Sequence, residues 1–126
     1  MKKKILQILF ILFFFAPANS ETKINPIYEG SVDAKIELII YESLTCWHCA
    51  SFHKNVYPEL KKNFIDKGLI KIEFRSFPFD IAAFNAAKIA HCKNNSKSDI
   101  LHFLFKNQKK WAKGNTIEEL NSNLIN

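Results

Sequence analysis

Directly after the apolar run Ile36-Glu37-Leu38-Ile39-Ile40-Tyr41 and at the head of a helical stretch, the chain carries Cys46-Trp47-His48-Cys49. The apolar run fits a buried parallel strand. The following stretch, from about Cys46 to Phe64, places Phe52, Val56, Leu60 and Phe64 four residues apart, which lays them along one helix face. Pro58 removes one backbone bond and is expected to kink that helix. Gly68 ends the connection, and Ile70 to Phe74 alternates as a second strand. Strand, helix and strand at this spacing predict an α/β fold built on a right-handed βαβ unit.

Two cysteines separated by two residues can close a small disulfide ring in the first turn of a helix. Unpaired N–H groups and the positive end of the helix dipole favour a thiolate at the leading sulfur, which makes Cys46 the reactive one. His48 lies between the cysteines, where a protonated imidazole adds positive charge near that sulfur. A stabilised thiolate leaves readily, so an oxidised pair is expected to pass its disulfide on. Two other readings of the pair stay open. His91 and Cys92 could complete a zinc site of three cysteines and one histidine, although the segment lacks the Gly-rich turns of zinc knuckles. The pair could also be a structural disulfide, but its short ring would be strained.

The first twenty residues read as a secretory signal. Lys2, Lys3 and Lys4 form the charged part, Ile5 to Ala16 the apolar part, and Ala18-Asn19-Ser20 a small-residue cleavage site behind Pro17. Cleavage is expected after Ser20, with Ala18 the alternative. The apolar run is shorter than the roughly 20 residues that span a bilayer, so an uncleaved anchor is the lesser alternative. Export into an oxidising compartment favours a redox role for exposed cysteines. Cys92 is then left over, as a buried small hydrophobe, an intermolecular partner, or half of a bond. Three of the 18 basic residues and none of the 12 acidic ones fall in the signal, so residues 21–126 carry only a modest positive balance. Basic and acidic residues interleave there and no groove-reading motif occurs, which argues against nucleic-acid binding.

Residues 21–35 read as a loop with a short edge strand around Ile27-Tyr28. From Asp80 onward the pattern is helical. Ile81 to Cys92 is Ala-rich, Ile100 to Trp111 is aromatic-rich, and Thr116-Ile117-Glu118-Glu119 supplies a capping box for a last helix through Ile125. Phe103, Leu104 and Trp111 are expected in the core. His91 and His102 read as ordinary surface or core histidines. His53, four residues after Cys49, reads as structural or as supporting the dithiol.

The segment Tyr41-Glu42-Ser43-Leu44-Thr45-Cys46-Trp47-His48-Cys49-Ala50 with Phe52-His53, the Phe77-Pro78-Phe79-Asp80 block, the Ala-rich helix to Cys92, and Leu104 to Trp111 together resemble the bacterial DsbA-type thiol:disulfide oxidoreductases of the thioredoxin superfamily. The resemblance implies a thioredoxin-like fold, with the dithiol βαβ unit over residues 36–78 and a helical insertion over 80–126. It also implies Cys46 as nucleophile, Cys49 as buried resolving cysteine and His48 as thiolate-stabilising residue. Trp47 stands where the family often has proline. Glu42 is the nearest candidate for the acidic proton relay that the family places beneath the dithiol. None of the four prolines follows the insertion, so the cis-proline loop, two further strands and closing helix of the family are expected to be missing. Cys92 resembles one half of the family's second cysteine pair.

The resulting expectation is a periplasmic oxidoreductase without cofactor or metal. It would exchange a Cys46–Cys49 disulfide with thiols of reduced secreted polypeptides and be recycled by a membrane partner. An inactive fragment or interaction module, and a Cys/His metal-binding protein, are the alternatives. An unpaired, apolar edge on the first strand is expected to favour self-association.

Overall fold

The computed structural model describes residues 23–126; the expected signal over residues 1–20 lies outside them. Strand β1 (Ile27–Glu29) confirms the short edge strand, and β2 (Ile36–Glu42) follows it. Helix α1 (Trp47–Asn55) leads into a short α2 (Tyr57–Leu60) and a π-helical turn (Lys61–Ile65), after which β3 (Ile70–Ser76) returns to the sheet. Helices α3 (Ile81–Ala90), α4 (Asp99–Lys106), α5 (Gln108–Trp111) and α6 (Ile117–Ile125) complete the chain. The sheet order is β1-β3-β2. β2 and β3 are parallel, with Ile36 opposite Ile70 and Glu42 opposite Ser76, whereas β1 runs antiparallel to β3. The expected βαβ unit is therefore present.

The long first helix is broken rather than merely kinked. Pro58 sits in the first turn of α2, where its missing N–H costs nothing. The break and the π turn change which face is buried. His53, Tyr57 and Ile65 point inward, while Val56 and Phe64, expected on the buried face, are about half exposed. Aromatic-rich α4–α5 buries Leu101, Leu104, Phe105 and Trp111, but Phe103 is exposed, contrary to expectation. Its position is one step round the helix from Leu104, on the outer side.

β3 is the buried centre of the sheet. Ile72 is fully buried, and Ile70 and Phe74 pack with Ile27, Leu44, Ala86, Ala90 and the α4 residues into one core. β2 is not the buried strand its composition suggests. Ile36, Leu38, Ile39 and Tyr41 stay exposed, because β2 lies at the sheet edge and, among the described residues, β3 is its only neighbour. Gly30 turns the chain out of β1 with φ +100°, and a Cβ there would meet the Ile70 carbonyl at 2.6 Å. Asp80 and Thr116 cap α3 and α6 by accepting from the N–H groups of Ala83 and Glu119. Glu119 reaches back to the Asn115 N–H, one residue earlier than a standard capping box.

Candidate active site

The dithiol is presented by a turn held by backbone and side-chain hydrogen bonds. Cys46 N–H donates to the Ser43 carbonyl at 3.0 Å, closing the turn between β2 and α1. Buried Gln108, on α5, donates from its single amide nitrogen to the carbonyls of both Leu44 (2.8 Å) and Cys46 (2.9 Å). Thr45 Oγ1 donates to Asp80 Oδ2 at 2.6 Å, and Ser43 Oγ accepts from Phe79 N–H. The Phe77–Asp80 block and α5 are thereby fastened to the dithiol turn.

Cys46 is the N-cap of α1, and its sulfur accepts from the Cys49 N–H at 3.5 Å. A sulfur in this position meets the unpaired donors of the first helical turn. Partial burial opposes ionisation of Cys46, but the Cys49 N–H, the Cys49 thiol and the His48 N–H outweigh it, so its pKa falls below that of an ordinary cysteine. Cys49 behaves oppositely. Burial pushes its thiol up to about 11; a backbone contact from Ser43 relieves this in part, and the neighbouring Cys46 and Glu42 charges add to it. Cys49 also packs against the hydrophobic core. The leading sulfur thus ionises more readily than an ordinary cysteine, and the second is held as a thiol. His48 is exposed, and its ring lies against that of the exposed Trp47, centroids 3.3 Å apart.

Glu42 ends β2 and is buried beside this pair. Its Oε2 lies 2.7 Å from His53 Nε2, and its Oε1 has no hydrogen-bond partner among the described residues. His53 stacks on Phe105 with centroids 4.1 Å apart. Its Nδ1 lies 3.0 Å from His102 Nδ1, and His102 Nε2 bonds Glu29 Oε1. Glu29 also accepts from Tyr57 Oη and Ser98 Oγ. Burial works against the Glu29 charge, yet His102, Ser98 and Tyr57 together hold its carboxyl down at about 2. Burial, and then the same contact with Glu29, raise the Tyr57 phenol. The sequence points to Glu42 and, through its place one helical turn beyond Cys49, to His53 as structural or supporting the dithiol; His102 reads as ordinary. Gln108 and Glu29 carried no signal of their own.

His91 ends α3 with a buried Nδ1 lacking a partner, and Cys92 is free and exposed one residue on. Among the described residues no group of three or more His, Cys, Asp or Glu side chains is placed to hold a metal ion. The zinc set of His91 and Cys92 with the dithiol is therefore not assembled.

A Cys-x-x-Cys pair with one activated sulfur, at the start of the helix of a parallel βαβ unit, defines a thioredoxin-like dithiol protein. The profile of the family described as Thioredoxin matches residues 22–125, and the chain belongs to that family, among its DsbA-like members. It is 36% identical over 98 residues to a Rickettsia bellii relative named as a protein-disulfide oxidoreductase, covering 76% of this chain and 38% of that one. It is 30% identical over 103 residues to a Bacillus anthracis relative named for disulfide bond formation, covering 76% of this chain and 46% of the relative. The crystal structure of Wolbachia pipientis α-DsbA1 matches with TM-score 0.66 at 30% identity, covering 79% of this chain and 59% of that one. A protein-disulfide isomerase from Novosphingobium aromaticivorans matches in fold, with TM-score 0.68 at 21% identity, covering 80% of this chain and 61% of that one. The chain spans less than half the length of these curated relatives.

Proposed function

We propose that this chain is a thiol–disulfide oxidoreductase of the periplasm, exchanging a Cys46–Cys49 disulfide with thiols of secreted polypeptides. A substrate thiolate attacks Cys46 Sγ, the Cys46–Cys49 bond breaks, and Cys49 leaves. A second substrate thiolate then attacks the substrate sulfur, releasing reduced Cys46 and an oxidised substrate. Two electrons pass from substrate to protein, and a membrane partner takes them on. The observation that carries this reading is the Cys46 sulfur at the α1 N-cap, accepting from Cys49 N–H while Cys49 itself is held as a thiol. His48 supports the thiolate through its backbone N–H, and in the proposed mechanism its imidazole adds positive charge when protonated. The periplasmic location rests on the Lys2–Lys4, Ile5–Ala16 and Ala18–Ser20 pattern.

The test is reaction of the reduced chain with oxidised glutathione. Mass spectrometry is expected to find a glutathione adduct on Cys46 in a Cys49→Ser variant, and an internal Cys46–Cys49 disulfide in the unmodified chain. Absence of both, in a folded protein, would refute the proposal. For the location, an alkaline phosphatase fusion after Asn126 is expected to be active in a bacterial host, and cytoplasmic retention of the fusion would refute it.

A further inference from the structure

On α4 and α5 the buried residues Leu101, Leu104, Phe105, Gln108 and Trp111 follow one another at helical spacing along one face. Gln108 is the exception among them, an amide at a position where the pattern calls for a core hydrophobe. A buried amide costs stability unless its groups are hydrogen-bonded. Its Nε2 hydrogens go to two backbone carbonyls, Leu44 at 2.8 Å and Cys46 at 2.9 Å. Both partners are acceptors, so they fix which end of the amide faces the dithiol turn.

These bonds complete the fixing of the Cys46 backbone. The Cys46 N–H is held by the Ser43 carbonyl at 3.0 Å, and the Cys46 carbonyl accepts the first helical bond, from Ala50 N–H at 3.1 Å. Gln108 takes the second lone pair of that carbonyl, and through Leu44 it also holds the peptide between Leu44 and Thr45. Bonded at both ends, Cys46 keeps its extended N-cap conformation, φ −74° and ψ 118°, and only rotation about its Cα–Cβ bond is left to place the sulfur. That sulfur meets the Cys49 N–H at 3.5 Å. Hydrogen bonds weaken steeply as their angle closes below about 120°, so a turn of the Cys46 peptide that swings the sulfur off the helix end removes a bond that favours the thiolate.

We propose that Gln108 is a positioning residue for the nucleophile: by bonding the Leu44 and Cys46 carbonyls it keeps the Cys46 sulfur over the first turn of α1 and so makes the thiolate more available. The proposal rests on the dithiol exchange proposed above and adds to it a residue 62 positions away in the chain. Stabilising the thiolate stabilises the reduced protein, so the same bonds make the Cys46–Cys49 disulfide a stronger oxidant. An apolar side chain at position 108 would fill the same place in the core and leave both carbonyls without this donor. The ionisable groups around the turn are His48 and Cys49 on α1, Glu42 at the end of β2, and Asp80 bonded to Thr45. Gln108 carries no charge, so its replacement by another neutral residue acts on Cys46 through hydrogen bonding alone.

The test compares two variants of the full chain. Gln108→Met keeps the length of the side chain and has no donor. Trp111→Phe removes the bond from Trp111 Nε1–H to the Leu104 carbonyl in the same helical region and keeps both bonds to the dithiol turn. Iodoacetamide alkylation of reduced Cys46 is followed well below and well above the free-cysteine value of about 8.5. Gln108→Met is expected to slow the reaction at the lower pH by about fivefold, the factor that one hydrogen bond is worth, and to leave it within about twofold at the higher pH. It is also expected to shift the equilibrium with glutathione by about fivefold towards the oxidised protein. Trp111→Phe is expected to change neither, since a loss of stability shared by both redox forms moves neither readout. An unchanged pH profile in Gln108→Met, or equal shifts in the two variants, would overturn the proposal. If Gln108→Met does not fold, nitrogen NMR of the unmodified chain decides: the Gln108 side-chain amide is expected to shift as Cys46 ionises, and a signal constant through that ionisation would overturn the proposal. If the unmodified chain gives no adduct or disulfide with glutathione, the exchange reading fails instead, and alkylation still decides the role of Gln108.

Discussion

The Cys46 sulfur accepts a hydrogen bond from the backbone N–H of Cys49 at 3.5 Å, so the backbone of one cysteine of the pair favours the ionised form of the other. The two thiols are driven apart by this arrangement, one lowered and the other raised to about 11.

Alkylation of the reduced chain is therefore expected in two well-separated phases. Cys46 reacts with a midpoint below about 8.5, the free-cysteine value, and Cys49 reacts only in strongly alkaline solution. His48→Ala is expected to move the Cys46 midpoint upward. Mass-resolved iodoacetamide kinetics against pH reads both, and a single merged phase near the free-cysteine value would contradict the assigned asymmetry. The linked stability has a definite sign. A lowered Cys46 pKa stabilises the reduced fold as pH rises from that pKa towards about 8.5, above which the raised Cys49 pKa works in the opposite direction. Urea midpoints of reduced chain relative to oxidised chain are expected to peak there.

Acid sensitivity is expected to centre on Glu29. Its carboxyl is held at about 2 in the fold, against about 4.3 when unfolded. The stability it contributes is complete above about 4.3 and is lost as pH falls through the folded value. Glu29→Gln is expected to lower the urea midpoint at neutral pH and to leave a shallower decline between pH of about 5 and 2. A decline of unchanged steepness in that variant would assign the acid transition to other groups.

Gly30→Ala is expected to destabilise by at least about 1–3 kcal/mol, since a non-glycine residue at this φ is strained and its Cβ would press on the Ile70 carbonyl 2.6 Å away. Thermal unfolding checks this. Retention of the parent transition would mean that the turn can be rebuilt at no cost.

The exposed Ile36, Leu38, Ile39 and Tyr41 on an edge strand predict association. Sedimentation velocity of the chain is expected to show mass rising with concentration, and Ile39→Lys to reduce it. A concentration-independent monomer would show that β2 is protected in solution.

What the sequence made legible was local. The Cys-x-x-Cys pair after an apolar run, the Asp80 and Thr116 caps, and the alternation of β3 each depend on neighbours within a few residues. What escaped it was relational. Of the helix face through Phe52, Val56, Leu60 and Phe64, Phe52 and Leu60 do pack against the core, but the break at Val56 and the π turn at Lys61–Ile65 shift the phase of the pattern, leaving Val56 and Phe64 about half exposed and turning His53 and Tyr57 inward. The composition of β2 matches an interior strand, whereas its exposure depends on how many neighbours the sheet supplies. The His53–His102 contact joins residues 49 apart, and no pattern in one helix signals a partner in another.

The two hydrogen bonds from Gln108 also tie the dithiol turn to a late part of the chain. The carbonyl of Cys46 receives its side-chain partner from a residue 62 positions later in the chain, and that of Leu44 from one 64 positions later. A polypeptide synthesised from its N-terminus has formed the cysteines, and the strands on either side of them, long before Gln108 exists. Until α5 docks, the turn that presents Cys46 lacks this brace, so the geometry of the dithiol depends on a part of the chain made 62 residues later.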